Sequence, residues 1–296
     1  DKKKLKVRYR TSMFSEKEIE TGAEIIRQGG LVIFPTETVY GLGGLATSDL
    51  AVSKIFKAKG RPSDNPLIVH VHKDYDLNKL VCIEFDYVYK LINAFMPGPL
   101  TLVLKSKGVV SKHVSCGLNT LAVRIPSHKG CQEFLKELDL PVAAPSANVS
   151  KHTSPVTANH VFNDLNGKIQ LILDGGKCEG GIESTVLDVT GKIPLILRSG
   201  LVTRDMIVSV VGACEYADKP VGKEVRSPGM KYTHYKPKCE TVLFERNQLE
   251  LAQNLYNSYL KEGKTPYFMC DNVTANSLNG NKLLLGVTGE EIASNL

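Results

Sequence analysis

Residues 31–44 read LVIFPTETVYGLGG. The first four are apolar, as in a buried strand, and polar residues follow directly after them. Gly41, Gly43 and Gly44 allow the backbone to approach a ligand closely. We interpret residues 35–44 as one strand-to-helix turn. A tight, Thr-capped turn would explain the glycines alone, but the added hydroxyl, carboxylate and phenol groups favour a functional loop.

Helical and strand-like segments alternate on both sides of this stretch. The predicted helices are 16–28, 49–59, 86–94, 130–138, 157–164 and 202–210. The predicted strands are 31–34, 67–71, 101–104, 121–125, 142–144, 170–173, 185–189 and 195–197. This mixture predicts an α/β or α+β domain around a twisted sheet.

The composition of the chain changes near residue 212. Residues 217–238 hold three Pro, two Gly and many charges without an apolar period, which is typical of a linker. Beyond it, a strand at 241–245, a helix at 247–261 and a strand at 266–270 are predicted. We therefore expect a main domain at 15–210, a linker at 211–238 and a smaller α/β domain at 239–296, which is short for a complete doubly wound unit.

The overall composition is that of a globular protein. Of the 296 residues, 42% are hydrophobic and 23% charged, which excludes a disordered, collagenous or coiled-coil chain. No apolar run approaches the roughly 20 residues of a membrane helix, so no membrane association is expected. The seven Cys are never spaced as Cys-x-x-Cys, so a disulfide framework or zinc ribbon is not predicted and a cytoplasmic location is.

The net charge of +6 comes mostly from residues 1–10, DKKKLKVRYR. This segment could contact RNA, although a solvated terminus is the simpler interpretation. No apolar segment follows it, so it is not predicted to be a secretory signal. The rest of the chain is nearly neutral, which argues against tight, sequence-specific binding of nucleic acid.

Residues 57–67, KAKGRPSDNPL, place cations at every second position. Lys57, Lys59 and Arg61 would lie on one side of an extended loop, where a polyphosphate could bind them. A solvated helix end is an equally good explanation of this segment taken alone.

Further polar side chains interrupt two apolar strands. His70 and His72 in LIVHVH alternate onto one face, and a ligand contact by His70 is favoured over a metal site, with a structural histidine as the alternative. Arg124 in NTLAVRIP must pair with a buried acid or with an anionic ligand, because an unpaired buried charge costs several kcal/mol.

Small polar residues lie at the ends of other predicted strands: APSAN (144–148) and LRSG (197–200) come at the end of a strand, and Ser184 and Thr185 of ESTV (183–186) open one. A P-loop, a complete G-x-G-x-x-G, a G-x-S-x-G and an H-E-x-x-H are all missing from the sequence. The polar residues present position anions rather than attack a substrate. This set predicts phosphoryl or nucleotidyl transfer catalysed by orientation and charge stabilisation.

Taken together, eight segments closely resemble the YrdC-like family of L-threonylcarbamoyladenylate synthases. They are PTETVYGLG (35–43), KAKGRPSDNPLIVHV (57–71), MPGPLTLVL (96–104), TLAVRIP (120–126), APSAN (144–148), ESTV (183–186), LRSG (197–200) and SPGMKYTHYKP (227–237). The last marks the long form with an extra C-terminal domain, and the resemblance spans about residues 15–237. The C-terminal unit is shorter here than is usual in the family.

The resemblance implies a nucleotidyltransferase that joins L-threonine, bicarbonate and ATP into threonylcarbamoyl-AMP and pyrophosphate. A separate transferase complex would then modify an adenosine of tRNA, so that tRNA meets this chain only indirectly or weakly. The implied fold is an open twisted mixed sheet with a large concave basic groove. Mg²⁺ would be carried by the nucleotide phosphates rather than by a metal site of the protein.

The resemblance also implies residue roles. Those implied to bind L-threonine are Thr38, His70, Arg124 (to its carboxylate), Ala144 and Ser184. Those implied to bind ATP are Lys59, Arg61, Asn65, Thr120, Ser146, Ser154, Arg198 and His234. Lys59 and Arg61 would also act catalytically on the departing pyrophosphate, and residues 231–235 would close over the groove as a lid.

There are two alternatives, the first from a different class of protein and the second a related enzyme domain. One is an RNA-binding module that uses the same basic groove. The other is a carbamoyl-adenylate domain like that of hydrogenase maturation factors, which is disfavoured because their clustered Cys are missing here. Threonine- and bicarbonate-dependent release of pyrophosphate from ATP separates the enzyme from the RNA binder.

Overall fold

A computed structural model describes residues 14–217 and 239–296. Within these ranges the chain forms two compact units. The first comprises residues 14–179 and 183–217, and the second comprises residues 180–182 and 239–296. None of the described helices is long and apolar enough to span a bilayer.

The elements of the first unit alternate along the chain. Its helices are α1 (Glu16–Arg27), α2 (Asp49–Lys59), α3 (Asp86–Phe95), α4 (Lys112–Ser115), α5 (Lys129–Leu138), α6 (Ala158–Leu165) and α7 (Arg204–Val211). Its strands are β1 (Val32–Phe34), β2 (Gly41–Leu45), β3 (Ile68–His70), β4 (Val81–Cys82), β5 (Leu100–Ser106), β6 (Thr120–Arg124), β7 (Val142–Ala143), β8 (Leu171–Ile172), β9 (Thr185–Asp188), β10 (Leu195–Arg198) and β11 (Glu215–Tyr216).

These strands form one mixed sheet in the order β11-β10-β9-β5-β6-β3-β7-β2-β1-β8, with β4 paired to β5. The centre is set by the parallel pair β3–β6, flanked by β5 antiparallel to β6 and by β9 parallel to β5. The carboxyl ends of β3 and β6 therefore meet the amino ends of β5 and β9 at one edge of the sheet.

Helices cover the two faces unequally. The larger core packs α2, α3, α6 and α7 against one face. On the other face α1 and α5 form a second core around β1 and β7, and the central strands carry only a small cluster of Ile68, Val103, Ala122 and Val186. This part of the sheet is where the predicted groove should lie.

The two ends of α2 determine where Lys59 and Arg61 of the cationic segment lie. The side chain of Ser48 accepts the Ala51 N–H at the start of α2, and the helix ends at Gly60, whose φ of 60° is left-handed. Glycine adopts that conformation without the strain of a Cβ. The chain thus turns sharply between Lys59 and Arg61.

The prediction of a single turn at 35–44 was wrong, because Gly41–Leu45 forms strand β2, antiparallel to β1. A Cβ on Gly43 would lie 2.6 Å from the Phe34 ring and 2.8 Å from Val142. The glycines thus let a strand pass close to neighbouring side chains, as they do elsewhere in sheets. Only residues 35–40 form the loop.

The second unit contains α8 (Leu249–Lys261), the parallel strands β12 (Phe268–Cys270) and β13 (Lys282–Leu284), and α9 (Gly289–Asn295). Tyr256 of α8 stacks on Phe268, with ring centroids 4.5 Å apart. The strand predicted at 241–245 is wrong, since this segment is irregular and Leu243 is 90% exposed.

Candidate active site

A cavity of about 50 Å³ lies at the edge of the sheet where β3 and β6 end. Strand alternation brings four pairs of residues onto the face that it opens from: Ile68 and His70, Thr101 and Val103, Ala122 and Arg124, and Ser184 and Val186. The polar member of each pair lies at or next to the end of its strand. The sheet thus gathers polar groups that are far apart in sequence.

Arg124 at the end of β6 is buried and paired. Its Nη2 donates to Glu37 Oε1 at 2.6 Å and its Nη1 donates to Thr38 Oγ1 at 2.9 Å. The other carboxylate oxygen of Glu37 accepts the Ser127 N–H at 3.0 Å, which holds Glu37 in place. Of the two partners predicted as alternatives for Arg124, a buried acid and an anionic ligand, the chain itself supplies the acid.

His70 lies beside Arg124 and is 4% exposed. Burial, with a smaller contribution from the Arg124 charge, lowers the pKa of His70 to about 3, so the ring is neutral at physiological pH. Its Nδ1 lies 3.2 Å from the Ile68 carbonyl oxygen. Because that oxygen can only accept, Nδ1 carries the proton and Nε2 is the acceptor. The neutral His70 ring can therefore accept a hydrogen bond at Nε2.

A second arginine–glutamate pair, Arg198 and Glu183, also lines the cavity. Arg198 bonds the Glu183 carboxylate and donates to the Ser184 carbonyl oxygen at 2.8 Å. The other Glu183 oxygen accepts the Ser154 hydroxyl at 2.8 Å. The Ser184 hydroxyl in turn lies 2.8 Å from that of Thr101. Ser154 and Arg198 are thereby joined through one carboxylate.

Lys59 reaches the same region from the end of α2 and is 2% exposed. Its Nζ donates to the carbonyl oxygens of Ser146 and Asn148, the latter at 2.6 Å. Burial, and secondarily the neighbouring Arg61 charge, lowers the pKa of Lys59 to about 7. Arg61 itself donates to the carbonyl oxygens of Asn65, at 3.2 Å, and Pro66, at 2.8 Å. Backbone carbonyl oxygens thus hold the side-chain nitrogen of Lys59, and its pKa lies close to neutral pH.

Two buried side-chain polar atoms in the described part of the chain have no hydrogen-bond partner, Arg124 Nε and Asn148 Oδ1. Buried polar atoms are nearly always paired in folded proteins. The first belongs to the Arg124 cluster, and the second belongs to Asn148, whose backbone carbonyl oxygen accepts from the Lys59 ammonium. Both belong to the region in which the sequence predicts ligands.

The structure brings most of the predicted site residues together. Those that line the cavity are Thr38, Arg61, His70, Arg124, Ala144, Ser146, Ser184 and Arg198. Ser154 joins them through Glu183, and Lys59 through its bond to Ser146.

Two further predicted residues, Asn65 and Thr120, do not line the cavity. Asn65 is buried beneath Arg61. Thr120 begins β6, at the opposite end of the strand from Arg124 and about 13 Å along it. His234 and the predicted lid at 231–235 lie outside the described residues. Their roles remain predictions.

Sequence reasoning assigned no role to Glu37, Thr101 or Glu183. Glu37 and Glu183 adjoin predicted ligands in the TET and ESTV segments, so a search for counter-charges to the two arginines would have found them. Thr101 carries no such signal, because its contact with Ser184 depends on the pairing of β5 with β9.

Mg²⁺ is expected with ATP, but the described residues offer it no cage of their own. No group of three or more His, Cys, Asp or Glu within 14–217 and 239–296 could hold a metal ion. The two carboxylates at the cavity, Glu37 and Glu183, are paired with arginines. These side chains do not fit a protein-held metal centre.

Two arginines that are each paired with a glutamate, a buried lysine and a neutral histidine surround a small cavity at the end of an open α/β sheet. This arrangement defines an enzyme that orients anionic substrates. A family model described as "Telomere recombination" matches residues 24–200, and one described as "Threonylcarbamoyl-AMP synthase, C-terminal domain" matches residues 202–296. The chain belongs to the threonylcarbamoyl-AMP synthase family, as its sequence motifs predict.

Known proteins resemble the chain over most of its length. The threonylcarbamoyl-AMP synthase of Pyrococcus abyssi is 41% identical, covering 95% of this chain and 84% of that protein. That of Bacillus subtilis is 42% identical, covering 84% and 73%. The crystal structure of P. abyssi Sua5 complexed with L-threonine has a TM-score of 0.89 at 38% identity, covering 96% of this chain and 85% of that one.

These likenesses confirm the predicted open α/β fold with its additional C-terminal part. They also confirm the predicted class of activity, since the relatives carry the name of the synthase. The alternative of a pure RNA-binding module is not favoured by any of them.

Proposed function

We propose that this chain condenses L-threonine, bicarbonate and ATP into threonylcarbamoyl-AMP and pyrophosphate at the cavity between His70, Arg124 and Ser184. The observation that carries the proposal is the pairing of a buried, fixed guanidinium with a neutral imidazole in the lining of a cavity of about 50 Å³. An amino acid presents a carboxylate and an amino group close together. Arg124 offers a cation to the carboxylate, and His70 offers a hydrogen-bond acceptor to the amino group.

L-Threonine would bind at this pair of side chains. Arg124 would receive the carboxylate through the charged donors that Glu37 and Thr38 hold in orientation. His70 Nε2 would accept from the amino group or the side-chain hydroxyl. Ala144 and Ser184 would complete the wall.

The triphosphate of ATP would lie toward Lys59, Arg61 and Arg198. Arg61 and Arg198 line the same cavity, so negative charge that develops on the leaving pyrophosphate would meet fixed cations. Lys59 would take up a proton when the phosphates bind, and its ammonium would then add a further positive charge. Asn65, Ser146, Ser154 and Thr120 would position the rest of the nucleotide, with His234 of the lid as a further contact.

The finer features of the proposal concern partners and location. Mg²⁺ would enter as a ligand of the nucleotide phosphates. The labile product would pass to a separate transferase complex that modifies tRNA. All seven cysteines lack a disulfide partner, which supports a reducing cytoplasm as the place of action.

A pyrophosphate-release assay with each substrate omitted in turn tests the proposed reaction. Release should require ATP, L-threonine and bicarbonate together, and D-threonine should not replace the L form. The product should have the mass of threonylcarbamoyl-AMP. Pyrophosphate release that is unaffected by omission of threonine would contradict the proposal.

A further inference from the structure

The loop between β7 and α6 makes three hydrogen bonds with Lys59. We call residues 146–152 the Lys59 loop. The Lys59 ammonium donates to the carbonyl oxygens of Ser146 and Asn148. The Lys59 carbonyl oxygen accepts the Ser150 N–H at 2.9 Å. The position of the ammonium therefore depends on the conformation of this loop.

One carboxylate outside the cavity anchors that loop. Asp164, on α6, accepts the Val149 N–H at 3.2 Å and contacts His152 Nδ1 at 3.1 Å. Asn148 then closes the turn, since its Nδ2 donates to the carbonyl oxygens of Val149, at 2.8 Å, and His152, at 3.0 Å. Asp164 does not line the cavity. It is placed to act through Lys59 rather than on a substrate.

We propose that Asp164 is a positioning residue for Lys59: it fixes the Lys59 loop around the ammonium, and its negative charge stabilises the ammonium form. No role for this residue follows from the family resemblance or from the names of the relatives. The inference rests on the proposed function only in that Lys59 is taken to meet the nucleotide phosphates.

The charges that act on Lys59 come from three elements. Arg61, after α2, disfavours the ammonium, whereas Glu183, before β9, and Asp164, on α6, favour it. Glu183 is already engaged by Arg198 and Ser154. Burial opposes the charged form, so the loss of either carboxylate should release the Lys59 proton at lower pH.

The variant Asp164→Asn removes the charge and keeps an oxygen that can accept the Val149 N–H. Asp164→Ser is a second uncharged variant, should the first not fold, and Asp164→Glu restores the charge. Asp76→Asn is the matched control, because Asp76 also caps a turn by accepting a backbone N–H, that of Asn78 at 3.0 Å, and is not among the charges that act on Lys59.

The first measurement follows Lys59 directly. The pH titration of its ¹³Cε resonance in lysine-labelled full-length protein, assigned with Lys59→Arg, gives the pKa without any substrate. We expect that pKa to fall by about 0.5 unit in Asp164→Asn, to recover in Asp164→Glu and to stay at the wild-type value in Asp76→Asn. A wild-type Lys59 pKa in a folded, uncharged Asp164 variant would overturn the inference.

The second measurement is kinetic. In Asp164→Asn, kcat/KM for ATP should fall about 10-fold, and the alkaline limb of its pH profile should move to lower pH, while KM for threonine stays within about 2-fold of wild type. An equal loss for both substrates with no movement of the pH profile would show a merely structural residue and would overturn the inference. If the wild-type chain releases no pyrophosphate, the proposed function fails, and the titration of Lys59 still decides the role of Asp164.

Discussion

His70 and Arg124 are register partners at the carboxyl ends of the parallel strands β3 and β6. The imidazole and the guanidinium are both buried, at 4% exposure each. Their proximity disfavours a second positive charge, which is part of the reason why His70 stays neutral. One fixed cation and one fixed acceptor thus stand side by side, and each can be tested separately.

Replacing Arg124 with lysine should impair the use of threonine selectively. Lysine keeps a positive charge beside Glu37 but cannot reach Glu37, Thr38 and a substrate carboxylate at once, since it lacks the planar fork of arginine. We expect KM for threonine to rise about 100-fold, with KM for ATP changed less than about 3-fold. Steady-state pyrophosphate release with each substrate varied in turn measures both.

Arg27→Lys is the control for that experiment. Arg27 is a surface arginine of α1 that also bonds a glutamate, Glu137, and a carbonyl oxygen. It should leave both KM values unchanged. A wild-type KM for threonine in Arg124→Lys would remove Arg124 from the threonine site.

Neutral, buried His70 should make the fold sensitive to acid. Its folded pKa of about 3 is below the value of about 6.5 in an unfolded chain, so the unfolded state binds more protons between these values. The free energy of unfolding therefore falls as the pH drops from 6.5 toward 3, by up to about 1.4 kcal/mol per pH unit from this group. Above pH 7 the contribution should be flat.

Urea unfolding of wild type and His70→Gln at pH 4.5, 5.5, 6.5 and 7.5 checks this expectation. The difference in unfolding free energy between the two proteins should change steadily below pH 6.5 and stay constant above it. His160→Gln, which removes an exposed imidazole from α6, is the control. Parallel pH curves for wild type and His70→Gln would contradict a neutral, buried imidazole.

Binding of ATP should be accompanied by proton uptake at Lys59. At pH 8 a lysine with a pKa of about 7 is mostly neutral, and a triphosphate beside it would raise the pKa again. Up to about one proton should then be taken up per ATP bound. Titration calorimetry in two buffers of different ionisation enthalpy measures it.

Lys59→Arg is the matched variant, because arginine keeps the charge and does not titrate in this range. The buffer-dependent part of the binding enthalpy should vanish in it. Equal proton uptake by both proteins would mean that some other group titrates and that Lys59 does not meet the phosphates.

Much of the fold follows from apolar periodicity, because an amphipathic helix such as α1 buries its apolar face and an apolar strand such as β5 is buried along most of its length, whatever their partners. Strand β2 escaped that reasoning. Its sequence GLGGL lacks the β-branched residues that mark strands, and its pairing with β1 and β7 is imposed by the tertiary fold. The irregular segment 241–245 shows the opposite error, a strand-like pattern that does not enter a sheet.

The site was predictable where a residue violated its local pattern. A charge in an apolar strand requires a partner, which singled out Arg124. The identity of that partner, Glu37, depends on bringing together residues 87 positions apart, which no local rule supplies. His72 shares the pattern of His70, yet its Nε2 lies 2.7 Å from Asp139 Oδ1 at the end of α5. Only tertiary packing distinguishes the two histidines.

Gly200 should be irreplaceable because of backbone rather than side-chain neighbours. A Cβ at this position would lie 2.5 Å from the backbone nitrogen of Thr185 and 2.7 Å from the backbone carbonyl oxygen of Glu183. Backbone cannot rotate away as a side chain can, so Gly200→Ala must displace the entry to β9. We expect a loss of about 2 kcal/mol in the free energy of unfolding and a fall of at least about 10-fold in kcat/KM, because Glu183 and Ser184 move with that backbone.

Gly191→Ala provides the comparison, since the nearest atom to a Cβ there is the Ile193 oxygen at 3.9 Å. Both glycines lie in loops next to β10. The two variants therefore add the same methyl group, at Gly200 against the backbone and at Gly191 into open space. Urea unfolding and pyrophosphate release should show Gly191→Ala within about 0.5 kcal/mol of wild type and fully active. If the two variants behaved alike, the close approach of residue 200 to β9 would not be what holds Glu183 and Ser184 at the cavity.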